Sequence, residues 1–201
     1  MSAVVFLIFK KKEDIMAIAR NILLHGASGK IGDMLVIRQR GGRTILSQSP
    51  GERTKEPSEK QKAQQQRFQQ AIIYGKSQME NEASKAEYEA KATNLKSAYN
   101  VAVADFFHAP DIEEVDLTAY TGAVGDPIRV RAVDDFKVVK VHVAIFNGDG
   151  TTVEEGDAVQ DENALDWIYT ATAVNESLEG DKIVVTASDN PGNVTENEQV
   201  I

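Results

Sequence analysis

Glycines 26, 29 and 32 follow an apolar run, Ile22-Leu23-Leu24-His25, at intervals of three. Glycines so placed let backbone amides close on a pyrophosphate at a helix N-terminus, the chemistry of dinucleotide binding. A second candidate is cationic. Lys30, Arg38, Arg40, Arg43 and Arg53 fall within 24 residues, and Lys55, Lys60, Lys62 and Arg67 follow. Such a group suits phosphates or an acidic protein face. A third is the carboxylate-rich stretch that includes Asp134, Asp135, Asp149, Glu154, Asp157, Asp161, Asp181 and Asp189. Loop carboxylates are the hard oxygen donors that calcium takes. His25, His108 and His142 are too scattered for a zinc signature, and no cysteine is present. Disulfides, thiolate metal sites and cysteine nucleophiles are therefore excluded. No G-x-S-x-G elbow carries a serine nucleophile, and no catalytic set is assigned.

The run Gly26-Ala27-Ser28-Gly29-Lys30-Ile31-Gly32, with the residues on to Pro50, resembles the opening of short-chain dehydrogenase and NmrA-like proteins. That resemblance implies NAD(P) binding. Its surroundings point elsewhere. Residues 33–40 leave barely two helical turns before Gly41-Gly42, and they hold Val36 and Ile37, which suit a strand. No acidic residue ends a second strand at 47–49, and no βαβ repeats follow. A phosphate loop of the Walker type fails as well, because Ile31 rather than Ser or Thr follows Lys30. The expectation is a structural glycine turn and no cofactor. Asn147-Gly148-Asp149-Gly150 likewise reads as a turn, lacking the ligand spacing and closing Glu of a calcium loop. The other loop carboxylates stay open as calcium donors.

Three parts are expected to position these residues: a strand and hairpin arm over 1–57, a helical hairpin over 58–110 and a β-sandwich over 111–201. In the first, residues 34–40 and 43–47 flank Gly41-Gly42 as a β-hairpin. In the second, Ser58-Glu59-Lys60-Gln61 matches the capping box that opens a helix. A second helix is predicted over 84–108. Tyr88, Ala92, Leu95, Tyr99, Ala102 and Phe106 recur there in steps of four and three, the 3.5-residue seam of paired helices. Tyr88, Leu95, Tyr99 and Phe106 are its large members, and the seam suits an intramolecular hairpin or an oligomer. The third part has no helical stripe. β-rich runs at 115–120, 128–133, 138–146, 164–173 and 182–187 alternate with Gly, Asn, Asp and Pro turns, the pattern of an immunoglobulin-like sandwich with Trp167 in its core. The fold class is thus α+β in several parts.

The net charge of −9 is unevenly spread. Residues 16–72 carry ten Lys/Arg against four Asp/Glu, and residues 110–201 carry five against twenty. Basic and acidic regions of this kind invite association, with protein partners or other copies of the chain. Aromatic residues are sparse among the cations before Phe68, so stacking on single-stranded nucleic acid is not expected. A basic hairpin on duplex nucleic acid is the alternative. No apolar stretch reaches the roughly 18 residues of a membrane helix. Lys10-Lys11-Lys12 follow the short apolar run at 3–9 instead of preceding it, the wrong order for a secretory signal. Met16 is a plausible alternative start. The expected location is cytoplasmic.

Several stretches together, SGKIGDMLVIRQRGGRTILSQSP, SEKQKAQQQRF, SAYNVAVADFFHAP, DPIRVRAVDDFKVVKVHVAI and TASDNPGNVT, resemble an uncharacterised Bacteroidetes-type family. Some of its members occur in phage-like or mobile contexts and carry immunoglobulin-like tails. The resemblance supplies no catalytic residue. It implies a non-enzymatic structural or interaction protein, a subunit or decoration of a phage-like or injection-machine-like assembly.

Overall fold

A computed structural model describes residues 16–19, 24, 26–51 and 56–201. Among them the chain is α+β, with three helices and three antiparallel four-stranded sheets. Two compact units divide it: Met1–Lys62 with Thr93–Leu95, and Ala63–Ala92 with Lys96–Ile201. Most of the helical part thus falls in the same unit as the later strands.

The first unit holds β1 (Met16–Ala19), β2 (Gly29–Ile31), β3 (Leu35–Arg40) and β4 (Arg43–Gln48), in the order β1-β4-β3-β2. Gly41 and Gly42, at φ +55 and +73, join β3 to β4. Two consecutive positive φ values match the twist of a tight hairpin and are costly for any residue with a Cβ, so the Gly-Gly pair is required. The glycine motif resolves in the same way. Gly29 begins a strand and Gly32 (φ +54) begins the turn back into β3, so no helix N-terminus follows it.

In the second unit, α1 (Glu59–Glu80) starts in the first unit on the expected capping box: Gln61 N donates to Ser58 Oγ at 3.3 Å, and Ser58 N to Gln61 Oε1 at 2.9 Å. Residues 59–70 are exposed throughout, and Ala71 and Gly75 are the buried positions. A Cβ on Gly75 would lie 2.7 Å from Val103 Cγ2 and 3.1 Å from Tyr99 Cε2, so the glycine admits the helix that carries Tyr99 and Val103. The single helix predicted over 84–108 is instead two: α2 (Glu82–Ala90) and α3 (Ala98–Asp105). Asn81 and Ser97 cap their N-termini, each with an extended backbone and a side chain that accepts from helix amides. Capping at Ser97 competes with helix continuation, and Thr93-Asn94 adds residues that favour turns. The expected seam is broken accordingly. Tyr88 is fully buried, Tyr99 and Phe106 are half-buried, and Leu95 is exposed in the linking segment. Leu95 meets the hairpin of the first unit, where a Cβ on Gly41 would overlap it.

Eight strands follow: β5 (Asp111–Asp116), β6 (Pro127–Val133), β7 (Val138–Phe146), β8 (Thr152–Asp157), β9 (Val159–Gln160), β10 (Asp166–Thr170), β11 (Lys182–Asp189) and β12 (Val194–Val200). They form two sheets, β5-β6-β10-β9 and β12-β11-β7-β8. Strict alternation in β11 sends Ile183, Val185 and Ala187 inward, and β7 adds Val141, Val143 and Ile145. These meet Ile128, Val130, Trp167 and Tyr169 of the other sheet in one continuous core, which makes a β-sandwich. Each fully buried aliphatic side chain contributes about 1.5–3 kcal/mol of transfer free energy. β8, β9 and β12 escaped the sequence reading. β12 is an edge strand, polar from Thr195 to Gln199 and alternating exposed with half-buried residues, and β9 is two residues long. No helix among the described residues is long and apolar enough to cross a membrane.

Candidate functional site

Strand register decides what the hairpin cations can do. Lys30 pairs with Val36, Arg38 with Ile45, and Arg40 with Arg43. Directly paired residues share a face, and so do residues two apart along a strand. Lys30, Arg38, Arg40 and Arg43 therefore stand on one face, with Ile45 and its β1 partner Ile18 beside them. All four cations are exposed. Lys30 has an ion pair with Asp33 at 2.8 Å, but among the described residues no acid pairs with Arg38, Arg40 or Arg43. At the hairpin end of this face, Ile18, Arg40, Gly41, Arg43, Ile45, Asn94 and Leu95 line a hollow of about 470 Å³. Arg53 lies outside the described residues.

The opposite face is poorly filled. Ile37 and Thr44 are buried, while Ile31 and Leu35 stay exposed; Met34, in the turn between β2 and β3, is 71% exposed. Thr44 is held by its own small network: Gln39 Nε2 donates to its Oγ1 at 2.9 Å and to the Ala27 carbonyl.

Most of the loop carboxylates flagged in the sequence are occupied by turns and pairs. Asp149 Oδ1 accepts from Thr151 N and Oγ1. Asp157 binds Lys140 at 2.9 Å and His142 at 2.6 Å, and Asp181 takes Gly148 N and the Asn175 amide. Glu154, from β8, spans the sandwich: its Oε2 accepts from Tyr169 OH (2.9 Å), Thr172 N (2.7 Å), Thr172 Oγ1 (2.6 Å) and Ala173 N (3.1 Å). Burial opposes its charged form, but these donors outweigh burial and hold its carboxyl below the usual range.

Two flagged residues, Asp134 and Asp189, meet a third that the sequence reading missed. Asp105 ends α3, Asp134 follows β6 and Asp189 ends β11, and one carboxylate oxygen of each lies within 4.8 Å of the others. Asp105 is 1% exposed. Its Oδ2 accepts from Tyr88 OH at 2.6 Å, and Tyr88 in turn meets Tyr74 OH at 2.7 Å. Burial, then the negative charges of Asp134, Asp189 and Asp135, push the Asp105 carboxyl up to about 7 against the hydrogen bond from Tyr88. Burial, with the charge of Asp134, raises Asp189 too. Tyr74 is pushed to about 12 by burial. One sequence signal for Asp105 existed: it shares the buried face of α3 with Ala98 and Ala102, where an acid is out of place.

No protein-family model matches the chain, and no curated protein is significantly similar to it. Among solved structures, an engineered protein, Northeast Structural Genomics Consortium target OR128, aligns with 51% of this chain at 17% identity and a TM-score of 0.32. The alignment spans a quarter of that protein's length.

Proposed function

We propose that the chain is a non-enzymatic structural and interaction protein, a subunit or decoration of a larger assembly of the phage-like or injection-machine kind. The observation that carries this reading is the four-stranded sheet of the first unit. It sets Lys30 and three arginines, the latter with no acid partner among the described residues, on one face and leaves Ile31 and Leu35 exposed on the other. A small sheet with so little buried under it gains by covering its faces with a partner. The occupant we favour is an acidic protein surface. Residues 110–201 of a second copy, with five Lys/Arg against twenty Asp/Glu, offer one.

The sandwich of the second unit is read as an immunoglobulin-like module. Assigning β5, β6, β9 and β10 to strands A, B, D and E, and β7, β8, β11 and β12 to C, C′, F and G, gives A-B-E-D against G-F-C-C′. That is the strand order of such sandwiches, here without their disulfide. Modules of this architecture serve as spacers and binding units.

Sedimentation velocity across a concentration series tests the proposal, on the wild-type chain and on a variant carrying Arg38→Glu, Arg40→Glu and Arg43→Glu. Mass should rise with concentration for the wild type, fall with salt, and stay monomeric for the variant. A wild-type chain that remains monomeric at every concentration and salt removes the self-association reading. The shared face of cations also suits duplex nucleic acid. Retention of labelled duplex DNA that falls steeply with salt, and is lost in the same variant, would favour that reading.

A further inference from the structure

We propose that Asp105, Asp134 and Asp189 form a binding site for a hard divalent cation, with calcium the best fit, which ties α3 to both sheets of the sandwich. Three observations carry it. The first is the donor set. Three carboxylates from separate elements converge within 4.8 Å, a spread open to oxygens around calcium, where ligands on opposite sides stand about 5 Å apart.

The second is what their remaining oxygens do. Asp105 Oδ2 is satisfied by Tyr88, and Asp134 Oδ2 by Phe136 N and Lys137 N. Asp105 Oδ1 and Asp134 Oδ1 are both buried with no hydrogen-bond partner. An acceptor with two lone pairs, removed from water and given nothing, carries a desolvation cost that native proteins rarely leave unmet. A cation meets both oxygens at once.

The third is the missing countercharge. Among the described residues no Lys or Arg forms an ion pair with any of the three. Lys91 is turned to the Asp135 and Phe136 carbonyls, and the Lys137 ammonium to Glu87. His108 Nδ1 is engaged by Asp135 at 2.7 Å, and the Asn193 amide that meets Asp189 is neutral. Three adjacent carboxylates without a cation must take up protons or a metal. Backbone carbonyls or water would complete the six to eight oxygens that calcium takes.

Such an ion would act as a clasp. Asp134 follows a strand of one sheet, Asp189 ends a strand of the other, and Asp105 closes the helix that packs on them. Asn193 already bridges the same parts, donating to the His108 carbonyl at 2.9 Å and to Asp189 Oδ2 at 2.7 Å.

The test uses the full chain stripped with a chelator and titrated with calcium chloride, and separately with magnesium chloride, by calorimetry and by thermal unfolding. Terbium is a third probe, because Tyr88 OH donates directly to a proposed ligand and would sensitise terbium emission. Saturable one-to-one binding of calcium and a raised Tm are expected. Asp105→Asn and Asp134→Asn should each weaken binding at least about ten-fold, while Asp149→Asn and Asp157→Asn leave it unchanged. Asp134 is half-buried, so its variant serves should Asp105→Asn not fold. Heats, Tm and terbium emission that ignore all three ions would overturn the proposal. So would binding that Asp105→Asn and Asp134→Asn leave intact, which would place the ion elsewhere. Neither result bears on self-association through the basic sheet.

Discussion

Replacing Glu154 by alanine tests whether a single carboxylate staples the two sheets. Its Oε2 is the acceptor for four donors, and Tyr169, the donor from the opposite sheet, is itself buried. Alanine strands those donors. Thr172 is exposed, so its hydroxyl can turn to water, which leaves Tyr169 OH and the amides of Thr172 and Ala173 to bear the loss. At about 1–3 kcal/mol for each buried donor left unsatisfied, the gross cost is about 3–9 kcal/mol. Relief from burying a carboxylate offsets part of it and brings the expected loss near 3 kcal/mol, a fall in Tm of about 6–12 °C for a chain of this size. Glu154→Gln keeps one acceptor and should lose about 1–2 kcal/mol, because bonds to a charged acceptor are the stronger ones. The pH dependence has a definite sign. The folded carboxyl lies below its usual range, so its stabilisation is present above the ordinary glutamate value and is lost as pH falls through the folded one. Urea denaturation of wild type, Gln and Ala variants should therefore show a gap between wild type and Gln that closes on acidification. An alanine variant within about 1 kcal/mol of wild type, or a gap indifferent to pH, would refute the staple.

Gly75→Ala should destabilise by about 1–2 kcal/mol despite the better helix propensity of alanine, since the new methyl would press on Val103 and Tyr99; chemical denaturation reads this directly. Asp105 and Asp189 both have folded pKa values above their usual range, so they contribute stability at low pH that is lost as pH rises, for Asp105 through about 7. In chelator, Tm should decline over that window, and Asp105→Asn should flatten the decline. Arg131 reaches Asp166 Oδ1 at 2.8 Å and Oδ2 at 3.2 Å, whereas Arg129 stands 3.9 Å away. Arg131→Gln should accordingly lower Tm well beyond Arg129→Gln in parallel melts.

Local patterns were readable where one chemical rule decided the outcome. Gly41-Gly42 between two β-favouring runs dictated the hairpin, and Ser58 with Gln61 dictated the start of α1. Inward alternation at Ile128, Val130 and Trp167 marked the core. The break between α2 and α3 was hidden because Tyr88, Leu95, Tyr99 and Phe106 keep a helical period across it. Their spacing reports which residues are apolar, while the competition at Ser97 is settled by one side-chain hydrogen bond to Asn100 N. The carboxylate cluster was hidden for another reason. Asp105, Asp134 and Asp189 are far apart in sequence, and only the packing of α3 against the ends of β6 and β11 brings them together. The basic face stands between these cases: its residues were visible, but their shared orientation follows from the pairing register.

As an edge strand, β12 governs whether a further strand can add to the sandwich. An open sheet edge is a template for strand addition, and a run of valines there would polymerise without direction. This edge carries Glu196 and Glu198, the latter paired to Lys182 of its own sheet at 2.9 Å. Two copies aligned along it would set carboxylates near carboxylates, which cross-strand pairing disfavours. The acidic rim thus disfavours addition of a like-charged strand at this edge of the sandwich.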